Sequence, residues 1–400
     1  MGGEWETATW GNIASLEYGK SLRSYSDKPD VAEVYGTNGK IGWHDEGLWK
    51  GPGVIVGRKG AYRGVHYTEN SFWVIDTAYS LVPRRKLNLR WAYYALKHLD
   101  PNTIDDGSPI PSTTRAALYA QRVLVPPLAE QESIASILGA LDDKIELNRR
   151  LAGTLEAIAR ALFRSWFIDF DPVRAKAEGH PTGLPDDLAA LFPQSLDDDK
   201  PDGWVQRSLT SVATFLNGLA LQKYPAAEGQ ASVPVIKIAD MRTGPTQRSS
   251  RANLDIPSDY FVNDGDHLFS WSGSLIHSRW VHGRAALNQH LFKVTPINGL
   301  PSWLSYFAVD YHLPGFQAIA SSKAVTMGHI QRHHLDEASI PLPPSDLLDH
   351  MDKIMAPLHA RALAAQLESR TLVAFRDTLL SKLITGELRI ADAAAEVSAA

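Results

Sequence analysis

The sequence predicts an α+β protein: two mixed α/β domains in tandem duplication, separated by two long helices that pair as an antiparallel coiled coil. Three observations carry this reading. Residues Leu128–Phe167 run forty positions without a proline, their apolar side chains stepping by four and three. A second stretch of the same kind, 346–383, lies 217 positions further on. The segments ahead of the two stretches share landmark residues at matching spacings.

The first domain, 1–127, opens with Trp5, and Gly19 follows after the apolar run Ile13, Ala14 and Leu16. Strand-like runs stand at 31–35, 54–56, 72–75 and 78–82, with glycine-rich turns between them. Asn88 is placed to cap a helix over Leu89–Leu99, which Asp100-Pro101 ends. A last strand at 123–125 runs into Pro126-Pro127.

The first long helix, 128–168, carries Ile134, Leu138, Leu141, Ile145, Ala152, Leu155, Ala159, Leu162 and Trp166 in one narrow stripe. That is the a/d spacing of a helix that buries a seam against another helix. Forty residues at 1.5 Å each make it about 60 Å long, too long for the core of one small domain. The partner is the second long helix, 345–386, after Pro343-Pro344. Adding 217 to the first stripe gives Met351, Met355, Leu358, Ala362, Ser369, Leu372, Arg376, Leu379 and Leu383. Pro357 is expected to kink or delay this helix in its first turns. Asn148, in the first seam, is a polar position of the kind that fixes register.

Residues 169–203 combine proline, glycine and acid and read as a linker wrapped on a surface, with one short helical patch at 187–191. The second domain, 204–344, then repeats the first. Trp204 and Gly218 reproduce the Trp5–Gly19 spacing. Segment 54–60 has its counterpart in 267–273, Pro83 matches Pro296, and Trp91 and Tyr94 match Trp303 and Tyr306. Residues 387–400 form a tail. A duplicated chain can present a pseudo-twofold object, which suits two half-sites on DNA.

Four hundred residues exceed one ordinary core, and 44% hydrophobic with 21% charged side chains is a globular composition. The absence of cysteine excludes a disulfide framework and thiolate metal sites. No apolar run approaches a membrane span, and the start lacks a signal core, so a cytoplasmic protein is expected. The net charge of −5 is unevenly placed. Residues 1–127 carry 15 basic and 13 acidic side chains, 203–344 carry 11 and 9, and 169–202 carry 3 and 9. Both domains are thus mildly basic, which permits contact with nucleic acid.

Several segments resemble the specificity subunit of type I restriction–modification systems. They are Val34-Tyr-Gly-Thr-Asn-Gly-Lys-Ile-Gly42 with Ile55-Val-Gly-Arg-Lys-Gly60, and Pro126-Pro-Leu-Ala-Glu-Gln-Glu-Ser-Ile134. Leu162-Phe-Arg-Ser-Trp-Phe-Ile-Asp-Phe-Asp-Pro172 and Leu380-Ser-Lys-Leu-Ile-Thr-Gly-Glu-Leu388 complete the set. The second repeat departs from the pattern, with Leu347-Leu348 where the first has Glu130-Gln131. The resemblance implies two target-recognition domains, each reading one half of a bipartite double-stranded DNA sequence, held apart by the helix pair. It also implies two methyltransferase (modification) subunits as partners, usually with two restriction subunits that carry the motor and nuclease. S-adenosylmethionine would belong to those partners, and no cofactor is expected on this chain.

No phosphate-binding glycine loop, no H-E-x-x-H and no adenine-methyltransferase motif occurs in the chain. Two rival functions remain open. One is a metal-dependent endonuclease using Asp186 with Asp198-Asp199-Lys200, whose spacing is nuclease-like although the context is an acidic linker. The other is an orphan DNA-binding scaffold. His333-His334 lacks ligand partners at helical spacing. The candidate DNA contacts of the first domain are Lys20, Arg23, Tyr25 and Lys28, then Arg58, Lys59, Tyr62 and Arg63. Those of the second are Gln222, Lys223, Tyr224, Lys237 and Arg242, then Trp271, Ser272, Ser274 and Arg279. Arginine can bond guanine O6 and N7 together and glutamine can read adenine, whereas lysine and serine more often hold phosphates. The large apolar groups Trp166, Phe167 and Phe170 suit either internal packing or a subunit contact.

Overall fold

A computed structural model describes residues 5–60, 62–104, 111–297, 299–322, 328–388 and 390. The chain divides into two units, Met1–Ile145 with Leu372–Ala400, and Glu146–Thr371. Each unit therefore holds one mixed domain and a length of both long helices, Leu128–Phe167 and Ser345–Thr385. Most of the tail at 387–400 lies outside the described residues.

In the first unit, Glu6–Thr9 pairs antiparallel with Arg122–Val125 and ties the ends of the domain together. A four-stranded antiparallel sheet runs in the order Ala14–Tyr18, Ala78–Pro83, Gly53–Gly57, Val65–Thr68. A three-stranded sheet of Gly39–His44, Ala32–Gly36 and Phe72–Val74 stands beside it. The run Gly53–Gly57 is buried at all five positions, which is why its sequence shows an apolar block rather than alternation. Helix Leu89–Leu99 begins where expected: Trp91 N donates to Asn88 Oδ1 at 2.9 Å. It buries Trp91, Tyr94 and Leu96 against Trp10, Leu16, Val54 and Tyr79.

The second unit repeats this plan. Val205–Ser208 pairs with Ser339–Leu342, and the sheet order is Ala213–Asn217, Leu291–Pro296, His267–Ser270, His277–Arg279. Its second sheet consists of Arg251–Asn253, Ser232–Ile236, Ala285–Leu287 and Phe261–Val262. The paired glycines explain the repeated spacing. A Cβ on Gly19 would stand 2.0 Å from the Ile75 carbonyl oxygen, and one on Gly218 would stand 2.2 Å from that of Asn288. No side chain fits at either place. Helix Ser302–Ser322, with Trp303 and Tyr306 buried, passes through Pro314 and is nearly twice as long as Leu89–Leu99.

The long helices pack against each other in both units. In the first, Ile134, Leu138 and Leu141 join one core with Leu379 and Leu383, and Arg376 Nη1 donates to Asp142 Oδ1 at 2.6 Å. In the second, Ala152 meets Ala362 and Ala365, and Ala159, Phe163 and Trp166 share a core with Met351 and Met355. Advance along the first helix is retreat along the second, so the pair is antiparallel. Asn148 is only 1% exposed, and among the described residues neither atom of its amide has a hydrogen-bond partner.

Two expectations are corrected. Pro357 does not delay its helix, which begins at Ser345 and runs through it. Leu347, Met351 and Met355 are buried on the turns ahead of the proline, and their burial outweighs a cost of about 3 kcal/mol. Segment 169–203 is more than a surface linker. It forms helices Asp171–Ala177 and Asp186–Leu191 and a hairpin, Leu196–Asp197 with Lys200–Pro201. Phe170, Val173, Leu188 and Phe192 are buried with Trp166, Phe167 and Trp204. A few well-spaced apolar residues anchor the segment while its acids face outward, and the average composition hid them. Trp166, Phe167 and Phe170 are therefore spent on internal packing.

Candidate nucleic-acid interface

The loop that follows the third strand of the four-stranded sheet is built identically in the two units. In the first, Arg58 N donates to Thr77 O at 3.0 Å, Gly60 N to Pro111 O at 3.0 Å, and Thr113 N to Arg58 O at 2.9 Å. In the second, Trp271 N donates to His290 O at 3.3 Å, Gly273 N to Gly328 O at 2.9 Å, and Ile330 N to Trp271 O at 3.0 Å. Single bridges at Lys59–Ser112 and Ser272–His329 complete the match. Together with the strand registers, these bonds make Tyr18 equivalent to Asn217, Arg58 to Trp271, Lys59 to Ser272 and Arg115 to Arg332.

The side chains at these positions differ. In the first unit, the Arg58 guanidinium lies 5.0 Å from the Tyr18 ring centroid and that of Arg115 lies 4.5 Å from it. Arg58 Nη1 also donates to Asp76 O at 2.8 Å. Tyr18 is 46% exposed and leans on Tyr79, whose hydroxyl is pushed up to about 12, first by burial and then by Tyr18. Lys20, Arg23, Tyr25 and Lys28 are exposed on the segment after that strand, and Trp73 Nε1 donates to the Lys20 carbonyl to hold its start. Lys59 is exposed, and Tyr62 is 77% exposed.

Arg63 is placed differently: it is buried. Its Nε donates to Thr113 Oγ1 at 2.9 Å and its Nη1 to Gly60 O at 3.0 Å. Its Nη2 donates to the carbonyls of Pro101, Asn102 and Ile104 at 3.1–3.2 Å. The guanidinium is used inside the protein, where it ties three loop segments together.

In the second unit, Gln222 and Lys223 are exposed on the turn Leu221–Lys223, while Tyr224 is half-buried beside Leu221. Lys237 and Arg242 are exposed around the turn Asp240–Thr243, and Lys237 N donates to Asp240 Oδ2 at 2.8 Å. Trp271 Nε1 donates to Asn217 Oδ1 at 2.9 Å and to Gln289 O at 3.1 Å. Ser274 is exposed, whereas Ser272 is buried with its Oγ 3.0 Å from His290 Nδ1. Arg279 is buried as well, its side chain 1% exposed. It lies 5.3 Å from the Tyr306 ring and 3.7 Å from Glu156. Burial holds its pKa below the ordinary value, and it also helps burial keep His267, His277 and His359 neutral, each pushed down to about 3.

Five residues of these sites escaped the sequence reading: Tyr18, Arg115, Asn217, Gln289 and Arg332. A signal for two of them was present. The 217 offset of the long helices, carried back past Pro126 and Pro343, pairs Arg115 with Arg332. Asp198 and Asp199, the acids of the nuclease alternative, sit exposed at the tip of the hairpin with φ of 47° and 61°. Among the described residues no three His, Asp or Glu side chains are grouped to hold a metal ion. His334 is buried, and its Nδ1 accepts from Gln331 N as part of a helix cap. No described helix is long and apolar enough to cross a membrane.

The type I restriction modification DNA specificity domain matches this chain twice, over residues 3–157 and 201–364. The MjaIX type I restriction enzyme specificity subunit of Methanocaldococcus jannaschii is 25% identical over 327 residues, 78% of this chain and 72% of the relative. The HindI specificity subunit of Haemophilus influenzae is 24% identical over 328 residues, 70% and 71% of the two chains. A crystal structure of a type I restriction–modification S subunit from M. genitalium aligns with a TM-score of 0.60 at 16% identity. It covers 95% of this chain and 96% of that one, a likeness of fold. The chain belongs to the type I restriction–modification specificity subunits, the non-catalytic subunit that recognises the DNA target.

Proposed function

We propose that each unit reads one half of a bipartite double-stranded DNA target, through the loops gathered around the equivalent crossings at Arg58 and Trp271. The observation that carries this is the contrast at those crossings. The backbone hydrogen bonds are the same, and the side chains they present are not. A shared frame with exchanged chemistry is what two different half-sites require. Exposed Lys20, Arg23, Lys59, Lys223, Lys237 and Arg242 supply cations for phosphates, while Tyr25, Tyr62, Gln222 and Trp271 offer stacking or base-edge contacts. The chain acts in the cytoplasm and scaffolds two modification subunits, joined by two restriction subunits in a cleavage-competent complex.

The test is reconstitution with the modification subunit. The complex should co-purify and methylate DNA at one bipartite sequence, and the isolated chain with Mg²⁺ should cut nothing. Cleavage by the pure chain would favour the linker-acid nuclease, and failure to bind any modification subunit would favour an orphan scaffold. The small excess of two positive charges on each domain also means weak binding by the chain alone, falling steeply with salt.

A further inference from the structure

We propose that Arg58 and Arg115, both held over the ring of Tyr18, form a specificity-determining clamp for the major-groove edge of a guanine in the half-site read by the first unit. This rests on the reading above. Two guanidinium groups lie within 5.0 Å of one exposed ring, and among the described residues neither has a carboxylate within ion-pair distance. Each gains from the face of the ring, but the two cations repel each other. No described carboxylate offsets that repulsion. Arg115 makes no hydrogen bond or ion pair among the described residues, so its donors are available, and Arg58 commits only Nη1, to the Asp76 carbonyl.

A cation pair held this way selects an electronegative ligand. On DNA that is either a phosphate or the O6/N7 edge of guanine. The other cations of the segment decide between them. A guanidinium held on an aromatic face keeps a preorganised planar fork, the geometry that matches O6 and N7 together. Phosphates accept the same fork, but they are already served by the flexible lysines at 20 and 59. The second unit lacks this arrangement at the same crossing. Trp271 replaces Arg58 and Asn217 replaces Tyr18, so the aromatic and polar members have changed strands, and the indole donates to the amide oxygen. The two half-sites should therefore differ in their need for guanine.

The test uses the reconstituted methyltransferase complex and DNA in which each guanine of the target is replaced in turn by 7-deazaguanine, which lacks only the N7 acceptor. With wild type, one position in one half-site should lower kcat/KM for methylation by about 2- to 12-fold, half the worth of a bidentate base contact. Arg115→Ala and Arg58→Ala should each lose at least that much on natural DNA, and the double variant should become indifferent to 7-deazaguanine there. Arg115→Lys should be as defective as Arg115→Ala, since it keeps the charge and loses the fork. Rescue by lysine, with an equal loss on all sequences and a salt slope reduced by about one, would mean a phosphate contact and overturn the proposal. Variants that discriminate half-sites like wild type would overturn it as well. A wild-type complex indifferent to every base change would instead reject the recognition reading itself, and the proposal with it.

Discussion

Arg279 and His359 are locked together inside the second unit: Nη2 lies 2.9 Å from His359 Nδ1, and Nη1 donates to the His359 carbonyl at 3.1 Å. A guanidinium can only donate, so Nδ1 is the acceptor and His359 is neutral with its proton on Nε2. That proton faces His267 Nε2, 3.3 Å away, which fixes the His267 proton on Nδ1. The strand that bears Arg279 is thereby coupled to the second long helix through a chain that works only while the imidazoles are uncharged.

The unit should therefore be sensitive to acid. His267, His277 and His359 stay neutral in the folded chain down to about 3, whereas in the unfolded chain they take up protons near 6.5. Between those values the unfolded state binds more protons, so this contribution to stability is present above about 6.5 and is lost as pH falls toward 3. Each group can weigh up to about 1.4 kcal/mol per pH unit in that window. Glu156, Asp310, Arg160 and Tyr306 also face the cluster and set its local field. Thermal unfolding from pH 7.5 to 4.5 should show a falling Tm, with a shallower fall in His359→Gln. An identical slope in that variant would mean the acid sensitivity lies elsewhere.

Arg63 should behave as a structural residue. Its five hydrogen bonds to Thr113 and to loop carbonyls are lost together in Arg63→Ala, leaving buried acceptors unpaired, at about 2 kcal/mol or more. Lys59→Ala and Tyr62→Ala, at exposed positions of the same loop, should stay within about 0.5 kcal/mol of wild type. Urea unfolding of the three variants separates the cases. An unchanged midpoint for Arg63→Ala would show that its bonds are replaced by water without loss.

Asn148 should cost stability where it stands. It occupies a seam position with both amide atoms unpartnered among the described residues and almost no exposure, and burial of an unpaired amide costs about 1–3 kcal/mol. Asn148→Leu, which keeps the branched shape and has no polar atoms, should raise the Tm. It should also weaken the preference for a single register between the helices, the usual use of such a residue. A lower Tm in the leucine variant would mean the amide is satisfied in solution.

Much of this architecture was legible in the chain. The forty-residue helix Leu128–Phe167 was plain because no proline breaks its apolar spacing, and Asn88 fixed the start of Leu89–Leu99 through an ordinary cap. The duplication was visible because Gly19 and Gly218 each face a carbonyl at a distance no side chain tolerates. Pro357 misled, since its local cost is set against burial that only the tertiary structure supplies. Arg63 and Arg279 misled for a related reason. A loop arginine reads as exposed until the loops that surround it are known, and residues 101–104 and 359 lie far from them in sequence. The pair Tyr18–Arg115 was invisible because its members sit 97 positions apart and meet only through the crossing at Arg58.

Sequencing of methylated sites in a host that carries the modification subunit tests the central claim most directly, with this chain as wild type, as Arg58→Ala/Arg115→Ala, and as Trp271→Leu. The wild type should mark one target made of two separated parts. The arginine variant should relax bases in one part only, and Trp271→Leu should relax bases in the other part only. If both variants relaxed the same part, or either relaxed both parts with the complex still assembled, the two units would not be independent readers of two half-sites.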